Sequence, residues 1–118
     1  MPTPCVFCSI VDGTAPADVL HTWPDAIAIR PLNPVTPGHT LIIPTTHVAD
    51  VGENPAVSAA TMAHAAQLAA HLDAANIITS KGAAATQTIT HLHLHLLPRH
   101  PDDGLPLPWT PQQQQHNP

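Results

Sequence analysis

The sequence has few aromatic residues and few permanent cations. Phe and Trp make up 3% of the 118 residues, Tyr is missing, and Lys and Arg number 3 against 8 Asp and Glu. The core must therefore be built from Leu, Ile, Val and Ala. The formal net charge of -5 also excludes a basic surface of the kind that binds a nucleic-acid backbone, so we expect no nucleic-acid partner.

Long apolar runs are missing as well. No stretch approaches the ~20 apolar residues that cross a bilayer, and the N-terminus lacks the basic start and apolar segment of a secretory signal. The sequence therefore predicts a cytoplasmic protein with no membrane partner. In that reducing compartment Cys5 and Cys8, the two cysteines of the chain, are expected to bind a metal or to stay reduced rather than to form a disulfide.

Short apolar runs separated by turn residues predict several strands. Residues 19–23 and 26–30, joined by a Pro-Asp pair, predict a hairpin. Residues 39–44 predict a buried strand, and residues 76–80 predict a further one. A chain of 118 residues is long enough for one domain with a single core.

Helical signals are confined to two places. Residues 9–13 predict a short helical turn, and Asn54 followed by proline predicts the start of a long amphipathic helix that runs to about Ala75. His64 and His71 on this helix are expected to face solvent. The order of elements favours an α+β fold with helices on one side of an antiparallel sheet.

Strict alternation of His and Leu marks residues 90–99. Alternation of this kind predicts a strand whose successive side chains point to opposite faces. His91, His93 and His95 would share one face, and Leu92, Leu94 and Leu96 would be buried on the other. Three imidazoles in a row can supply a nucleophile, a general acid or base, or metal ligands.

The Cys-x-x-Cys motif near the N-terminus is a second candidate for chemistry. Cys5 and Cys8 would lie on one tight turn and suit two corners of a tetrahedral zinc site. Redox chemistry and simple burial of two thiols are the competing interpretations. His47, directly after the strand at residues 39–44, becomes interesting only if partners lie near it.

Three stretches carry a resemblance to a known family. They are Cys5-Val6-Phe7-Cys8 with Gly13 and Pro16, Pro37-Gly38-His39-Thr40-Leu41-Ile42-Ile43-Pro44 with His47, and Gln87-Thr88 followed by His91-x-His93-x-His95-Leu96-Leu97-Pro98-Arg99. The chain resembles the histidine triad (HIT) family of nucleotide hydrolases and transferases. The resemblance implies a HIT-like α+β fold of roughly five antiparallel strands, one long helix and a short N-terminal helix. We expect one domain over residues 1–110 and a disordered tail at 111–118.

The resemblance implies a two-step reaction at the α-phosphate of purine nucleoside phosphoramidates or dinucleotide-type substrates. His93 would be the nucleophile that forms a covalent nucleotidyl-histidine. His95 would bind phosphoryl oxygens or protonate the leaving group. Further substrate contacts are implied for Leu32 at the base, Asn33 at the ribose, and Gln87 and Thr88 at the phosphate and leaving group, with Gln87 also a catalytic candidate.

A structural zinc is implied by the zinc-containing bacterial branch of the family. Its ligands would be Cys5, Cys8, His47 and His91, a closed Cys₂His₂ set. The resemblance further implies a homodimer. Two positions depart from the family pattern: Pro31 stands where many relatives have Asp, which affects ribose contacts, and no Asn lies near Ser80 or Lys81, which affects the phosphate site.

Two alternatives to this function remain open from the sequence. The first is a zinc-dependent hydrolase in which His91 and His93 form a His-x-His metal pair, completed by His47 or His95. The second is a nucleotide-binding protein without catalytic activity. Loss of activity on chelation would favour the first, and tight nucleotide binding without turnover would favour the second.

Overall fold

The computed structural model describes residues 5–111 and contains a five-stranded sheet with two helices. The elements are α1 (Val6–Val11), β1 (Asp18–Thr22), β2 (Ala26–Arg30), β3 (Thr40–Pro44), α2 (Pro55–Ala69), β4 (Ala75–Ile78), a 3₁₀ turn (Ala83–Ala85) and β5 (Leu94–Pro98). The strand order is β1-β2-β3-β5-β4, and every neighbouring pair is antiparallel. The predicted α+β fold is confirmed. Residues 112–118 of the predicted tail lie outside the described residues, so that boundary stays a prediction.

The two helices lie on opposite faces of the sheet, so the prediction that they share one side is wrong. The face under α1 buries the alternate apolar side chains Phe7, Ile27, Ile29, Leu41 and Ile43. The face under α2 buries Ala28, Ile42, Val48, Ala65, Leu92, Leu94 and Leu96. Both faces of the central strands are apolar, so each face must be covered by its own helix.

Among the described residues, neither helix has the length and the apolar character that a membrane span requires.

Helix α2 begins where the sequence predicts and ends earlier. The Asn54 side chain accepts hydrogen bonds from the N–H groups of Ala56 and Val57, as an N-cap does. The helix ends at Ala69 rather than near Ala75 because the next segment joins the sheet: Ala75 pairs with Pro98 in the register of β4 and β5. Strand pairing thus overrides the helical propensity of the alanine-rich sequence.

His64 does not face solvent, which corrects the expectation from the sequence. Its ring stacks on the indole of Trp23 with centroids 4.3 Å apart, and its Nε2 lies 2.7 Å from Asp25 Oδ1. Trp23 and Asp25 belong to the turn between β1 and β2. The histidine therefore holds the predicted hairpin, which is confirmed at Asp18–Thr22 and Ala26–Arg30, against α2. His71 lies beyond the end of α2 and is exposed, as expected.

Replacing His64 with alanine should lower the free energy of unfolding by about 1–2 kcal/mol, because an aromatic stack and a hydrogen bond are lost together. Urea denaturation at pH 7 measures this change. The exposed His71 provides the matched control, since His71→Ala should alter stability by less than about 0.5 kcal/mol. Equal effects of the two substitutions would show that His64 does not hold the hairpin.

The histidine-rich segment is only partly a strand. β5 begins at Leu94, whereas His91 and His93 precede it, so the prediction of a strand over the whole segment is wrong. The sheet ladder stops at Leu94 because the N–H of Leu92 donates instead to the carbonyl of Val48, at 2.8 Å. The alternation of faces survives outside the ladder, since Leu92, Leu94 and Leu96 are all buried under α2.

Candidate functional site

The two cysteines and two of the histidines form one compact cluster. The potential ligand atoms of Cys5, Cys8, His47 and His91 all lie within 4.8 Å of one another. Cys8 Sγ lies 3.1 Å from His47 Nδ1 and 3.5 Å from His91 Nδ1, and Cys5 Sγ lies 3.4 Å from His91 Nδ1. The two Nδ1 atoms are 3.1 Å apart. The sequence-based assignment of these four residues to one place is thus matched by the geometry.

Local backbone structure brings the four ligand atoms together. Cys5 is the N-cap of α1 and Cys8 lies in its first turn, where the Cys8 N–H donates to Cys5 Sγ at 3.4 Å. The hydrogen bond from Leu92 to Val48 places His91 beside His47. The edges of a tetrahedron around zinc with sulfur and nitrogen ligands measure about 3.3–3.8 Å, so the four residues fit this ion.

The protonation states of the cluster also suit a metal. His91 is fully buried, and its Nε2 donates to the carbonyl of Pro44 at 2.9 Å, which leaves the Nδ1 lone pair facing the cysteines. Burial lowers the pKa of His91, so this ring stays neutral as a ligand must. Burial and the neighbouring Cys5 raise the pKa of the Cys8 thiol, so a pair of thiolates needs a cation beside it.

His93 lies outside this metal cluster and is held by its own chain. Its Nδ1 donates to the backbone carbonyl of His91 at 2.8 Å. A neutral imidazole carries one N–H, so the lone pair is on Nε2. Its ring is flanked by His95 with centroids 5.1 Å apart and by Phe7 with centroids 5.0 Å apart. Nε2 is therefore the atom of His93 that is able to act as a nucleophile.

His95 is hydrogen-bonded to a fifth histidine of the site, His39. The N–H of Val35 donates to His39 Nδ1 at 3.1 Å, so the proton of His39 is on Nε2. That atom lies 3.0 Å from His95 Nδ1 and donates to it. The proton of His95 is therefore on Nε2, where it can be donated to a bound group.

His39 is a functional candidate that the sequence interpretation placed in a strand without giving it a role. It is 5% exposed, and it precedes Leu41 by two residues, which puts it on the face that β3 shares with His95. A buried histidine at the start of an apolar strand was the available signal. Its partner lies 56 residues away in the chain, so spacing alone did not reveal the contact.

The His95 ring should make stability depend on pH. Burial, followed by the charges of His93 and His39, lowers the pKa of His95 to about 4, whereas an imidazole in the unfolded chain titrates near ~6.5. Between these values the unfolded state binds more protons, so the free energy of unfolding falls as the pH is lowered from about 6.5 to about 4. The loss due to His95 should be on the order of 1 kcal/mol, because solvent screens a partly exposed ring.

Urea denaturation at both ends of this range, at one fixed zinc concentration, measures the effect. His95→Asn should lose less stability than the wild type, while the exposed His71→Asn should lose as much as the wild type. An equal loss in His95→Asn and the wild type would assign the acid sensitivity to other groups.

A cavity of about 500 Å³ lies beside the histidines on the face covered by α1. Its wall is mostly apolar and includes Phe7, Ile10, Ile29 and Leu41. None of the described residues that line it is a histidine, but Leu41 is the cross-strand partner of His95 and Phe7 contacts the His93 ring. The substrate candidates Leu32 and Asn33 both line it, and Leu32 is 98% exposed at its rim. Pro31 lines it too.

Gln87 and Thr88 lie in the loop before the histidines. The Gln87 amide donates to the carbonyls of Ala49 and Ile89 at 2.7 and 3.0 Å, and its Oε1 accepts from the N–H of Gly82 at 2.9 Å. In this arrangement Gln87 organises the loop and has its amide fully engaged. Thr88 is exposed.

The family model described as the HIT domain matches residues 12–102. The chain belongs to the HIT domain family. Among HIT relatives, this chain is 35% identical over 108 residues to an adenylylsulfatase, HINT3, of Arabidopsis thaliana. The aligned region spans 86% of this chain and 55% of the relative. This chain is 31% identical over 113 residues to an adenosine 5'-monophosphoramidase, HNT1, of Saccharomyces cerevisiae, which spans 92% and 72%.

Solved HIT structures share the fold. A zinc-bound histidine triad family protein from Mycobacterium smegmatis superposes with a TM-score of 0.74 at 38% identity and covers 94% of this chain and 88% of that one. In this HIT chain the structure gathers two adjacent groups of residues. The first is a four-residue cluster that could hold a metal ion, and the second is the row of His93, His95 and His39, joined by an edge-to-face ring contact and a hydrogen bond. Phe7 contacts His91 of the first group and His93 of the second.

Proposed function

We propose that this HIT protein is a nucleotide hydrolase or nucleotidyl transferase that acts at the α-phosphate of purine nucleoside phosphoramidates or dinucleotide-type substrates. The observation that carries the proposal is the tautomer of His93. Its Nδ1–H is bound to a backbone carbonyl, so the Nε2 lone pair is available, and Phe7, which contacts the His93 ring, lines the cavity. The two relatives with catalytic names act, by those names, on adenylyl compounds, which supports the same class of substrate.

In the first step, His93 Nε2 forms a bond to the α-phosphorus while the bond from phosphorus to the leaving group breaks. The Nε2–H of His95 donates a hydrogen bond to a phosphoryl oxygen, and the departing group takes its proton from solvent. In the second step, water forms a new oxygen–phosphorus bond, the phosphorus–His93 bond breaks, and the proton of the attacking water passes to solvent. A covalent intermediate splits one difficult displacement into two easier ones.

The apolar cavity is the proposed site of the nucleoside. Leu32 at its rim would pack on the base and Asn33 would reach the ribose. Pro31 offers neither an acceptor side chain nor an N–H there, so Asn33 carries the ribose contact in this proposal. Thr88 would act at the phosphate directly, whereas Gln87, whose amide is engaged within the loop, would act there by shaping the loop that approaches it.

We further propose that Cys5, Cys8, His47 and His91 hold a structural zinc ion. Four protein ligands close the coordination shell, so the metal would cross-link the N-terminal segment to the histidine segment rather than act on substrate. The His-x-His hydrolase alternative needs His91 as a ligand of an open site, whereas the free Nδ1 of His91 lies within 3.5 Å of both cysteine Sγ atoms. Two metal-binding thiolates also suit the reducing cytoplasm that we propose as the location.

A homodimer is the proposed assembly. β4 is an edge strand of the sheet within the described residues and leaves Ile78 36% exposed, and Met62 on α2 is 41% exposed. An unpaired edge is a ready site for sheet extension by a second copy. Light scattering of the purified protein distinguishes a dimer from a monomer.

A panel of donors tests the proposed substrate class. Adenosine 5'-phosphoramidate, diadenosine polyphosphate and adenosine 5'-phosphosulfate carry the same nucleotide on three different leaving groups. We expect measurable release of AMP from at least one, and the ratio of the three kcat/KM values identifies the preferred leaving group. Tight binding of AMP with no turnover of any donor would support the inactive nucleotide-binding alternative instead.

A further inference from the structure

Phe7 lies between the two cysteines of the metal cluster and contacts the histidine segment. Its ring is 5.9 Å from the His91 ring at an interplanar angle of 87°, and 5.0 Å from the His93 ring at 73°. Both are edge-to-face contacts, which are favourable arrangements of aromatic rings. The side chain is 4% exposed. One buried phenyl ring therefore adjoins a proposed metal ligand and the proposed nucleophile together.

The His93 ring needs a lateral support to keep its orientation. A single hydrogen bond joins its Nδ1 to the carbonyl of His91, and rotation about the side-chain bonds would break it. On one side the ring meets His95, and on another it meets Phe7. Removal of the phenyl ring leaves a gap into which the imidazole can rotate, since packed interiors relax only partly around a deleted group.

Phe7 also forms part of the wall of the 500 Å³ cavity. The backbone of Phe7 is held on both sides, because Cys5 before it and Cys8 after it belong to the metal cluster. The ring further packs into the apolar layer that contains Ile27 and Ile43. The Phe7 side chain therefore contacts a residue of the metal cluster and the proposed nucleophile, and it also lines the cavity.

We propose that Phe7 is a positioning residue that fixes the orientation of the His93 ring and ties that orientation to the metal cluster. The proposal rests on the proposed function of His93 as nucleophile. In this role Phe7 packs against the imidazole and keeps Nε2 of His93 directed at the phosphorus. Misplacement of a reacting group by about 1 Å can cost on the order of 10²-fold in rate, so even a partial loss of orientation should be measurable.

The test compares Phe7→Leu with Ile27→Val in zinc-loaded protein. Both remove a small apolar volume from the same layer, but Ile27 is not among the residues that line the cavity. With an adenylyl donor at saturation, Phe7→Leu should lower the rate of covalent labelling about tenfold. The Kd for AMP should rise no more than about threefold, because leucine still covers the apolar wall. Equal labelling rates in the two variants would overturn the proposal.

Two further measurements separate this proposal from its alternatives. Zinc content should stay at the wild-type value in Phe7→Leu, so a rate loss accompanied by zinc loss would indicate a structural role only. The ¹⁵N shifts of His93 at pH 9, where imidazoles are neutral, report its tautomer without any turnover. The wild type should hold the proton on Nδ1, and Phe7→Leu should show a mixture of tautomers.

The outcomes distinguish a failure of the proposed function from a failure of the positioning role of Phe7. If the wild type neither labels nor turns over any nucleotide donor, the proposed function fails, and the tautomer measurement alone decides the role of Phe7. If Phe7→Leu keeps the wild-type tautomer, the positioning role is wrong. Phe7→Met, which has no ring but a similar apolar volume, replaces Phe7→Leu if that variant does not fold.

Discussion

Replacing His93 with alanine should abolish covalent attachment of a nucleotide and lower turnover by roughly 10⁴-fold or more, as expected when a nucleophile is removed. The substitution deletes the Nε2 that the backbone hydrogen bond of Nδ1 leaves unprotonated. The measurement is intact-protein mass spectrometry after incubation with an adenylyl donor and a denaturing quench at alkaline pH, because the phosphorus–nitrogen bond to histidine is labile in acid. The wild type should gain one nucleotide mass, and His93→Ala should gain none.

The controls for this experiment are other histidines of the chain. His71→Ala, at an exposed position beyond α2, should label like the wild type. His95→Ala should still label but at a lower rate, since it loses a hydrogen-bond donor to the phosphate rather than the nucleophile. If the nucleotide remained attached to His93→Ala, the covalent bond would belong to a different side chain, and peptide mapping would identify it.

Removing the metal should cause the largest change in stability. Zinc that binds the folded chain and not the unfolded one stabilises it by about 4 kcal/mol when free zinc exceeds the Kd 1,000-fold. For a domain of this size, that free energy corresponds to a Tm difference of about 15 °C. We therefore expect the wild type to melt about 15 °C lower in chelator than in zinc, as measured by circular dichroism.

Cys8→Ser tests whether this effect arises at the proposed cluster. Cys8 Sγ lies within 3.5 Å of both histidine Nδ1 atoms, so its loss removes a central ligand. The Tm of Cys8→Ser should be nearly the same in zinc and in chelator, while the neighbouring Ser9→Ala should retain the zinc-dependent shift. If the Tm of the wild type were the same in zinc and in chelator, the two cysteines would be reduced thiols that bind no zinc.

The histidine segment shows what the local pattern determined. The alternation of His and Leu correctly assigned Leu92, Leu94 and Leu96 to one buried face, because side chains of an extended chain alternate whether or not it is hydrogen-bonded in a sheet. The same pattern could not tell where the strand begins. That depends on the N–H of Leu92, which donates to Val48 rather than to a neighbouring strand.

In the candidate site, too, some features followed from the sequence and others only from the fold. The sequence itself supplied a Cys-x-x-Cys turn, and the family resemblance supplied its two histidine partners. The contacts between them span 39 to 86 residues of chain, and their geometry became visible only in the fold. The hydrogen bond from His39 to His95 was not foreseen, since a lone histidine beside an apolar strand carries no sign of its partner.

The packing of His64 was also decided by the fold rather than by the local sequence. Its helical position suggested a solvent-facing ring, yet the hairpin of β1 and β2 places Trp23 and Asp25 against it. The sequence by itself determined the elements, their apolar sides and the family. The tertiary structure decided the tautomers and partners of the histidines, because a hydrogen bond depends on which distant donor or acceptor the folded chain brings within about 3 Å.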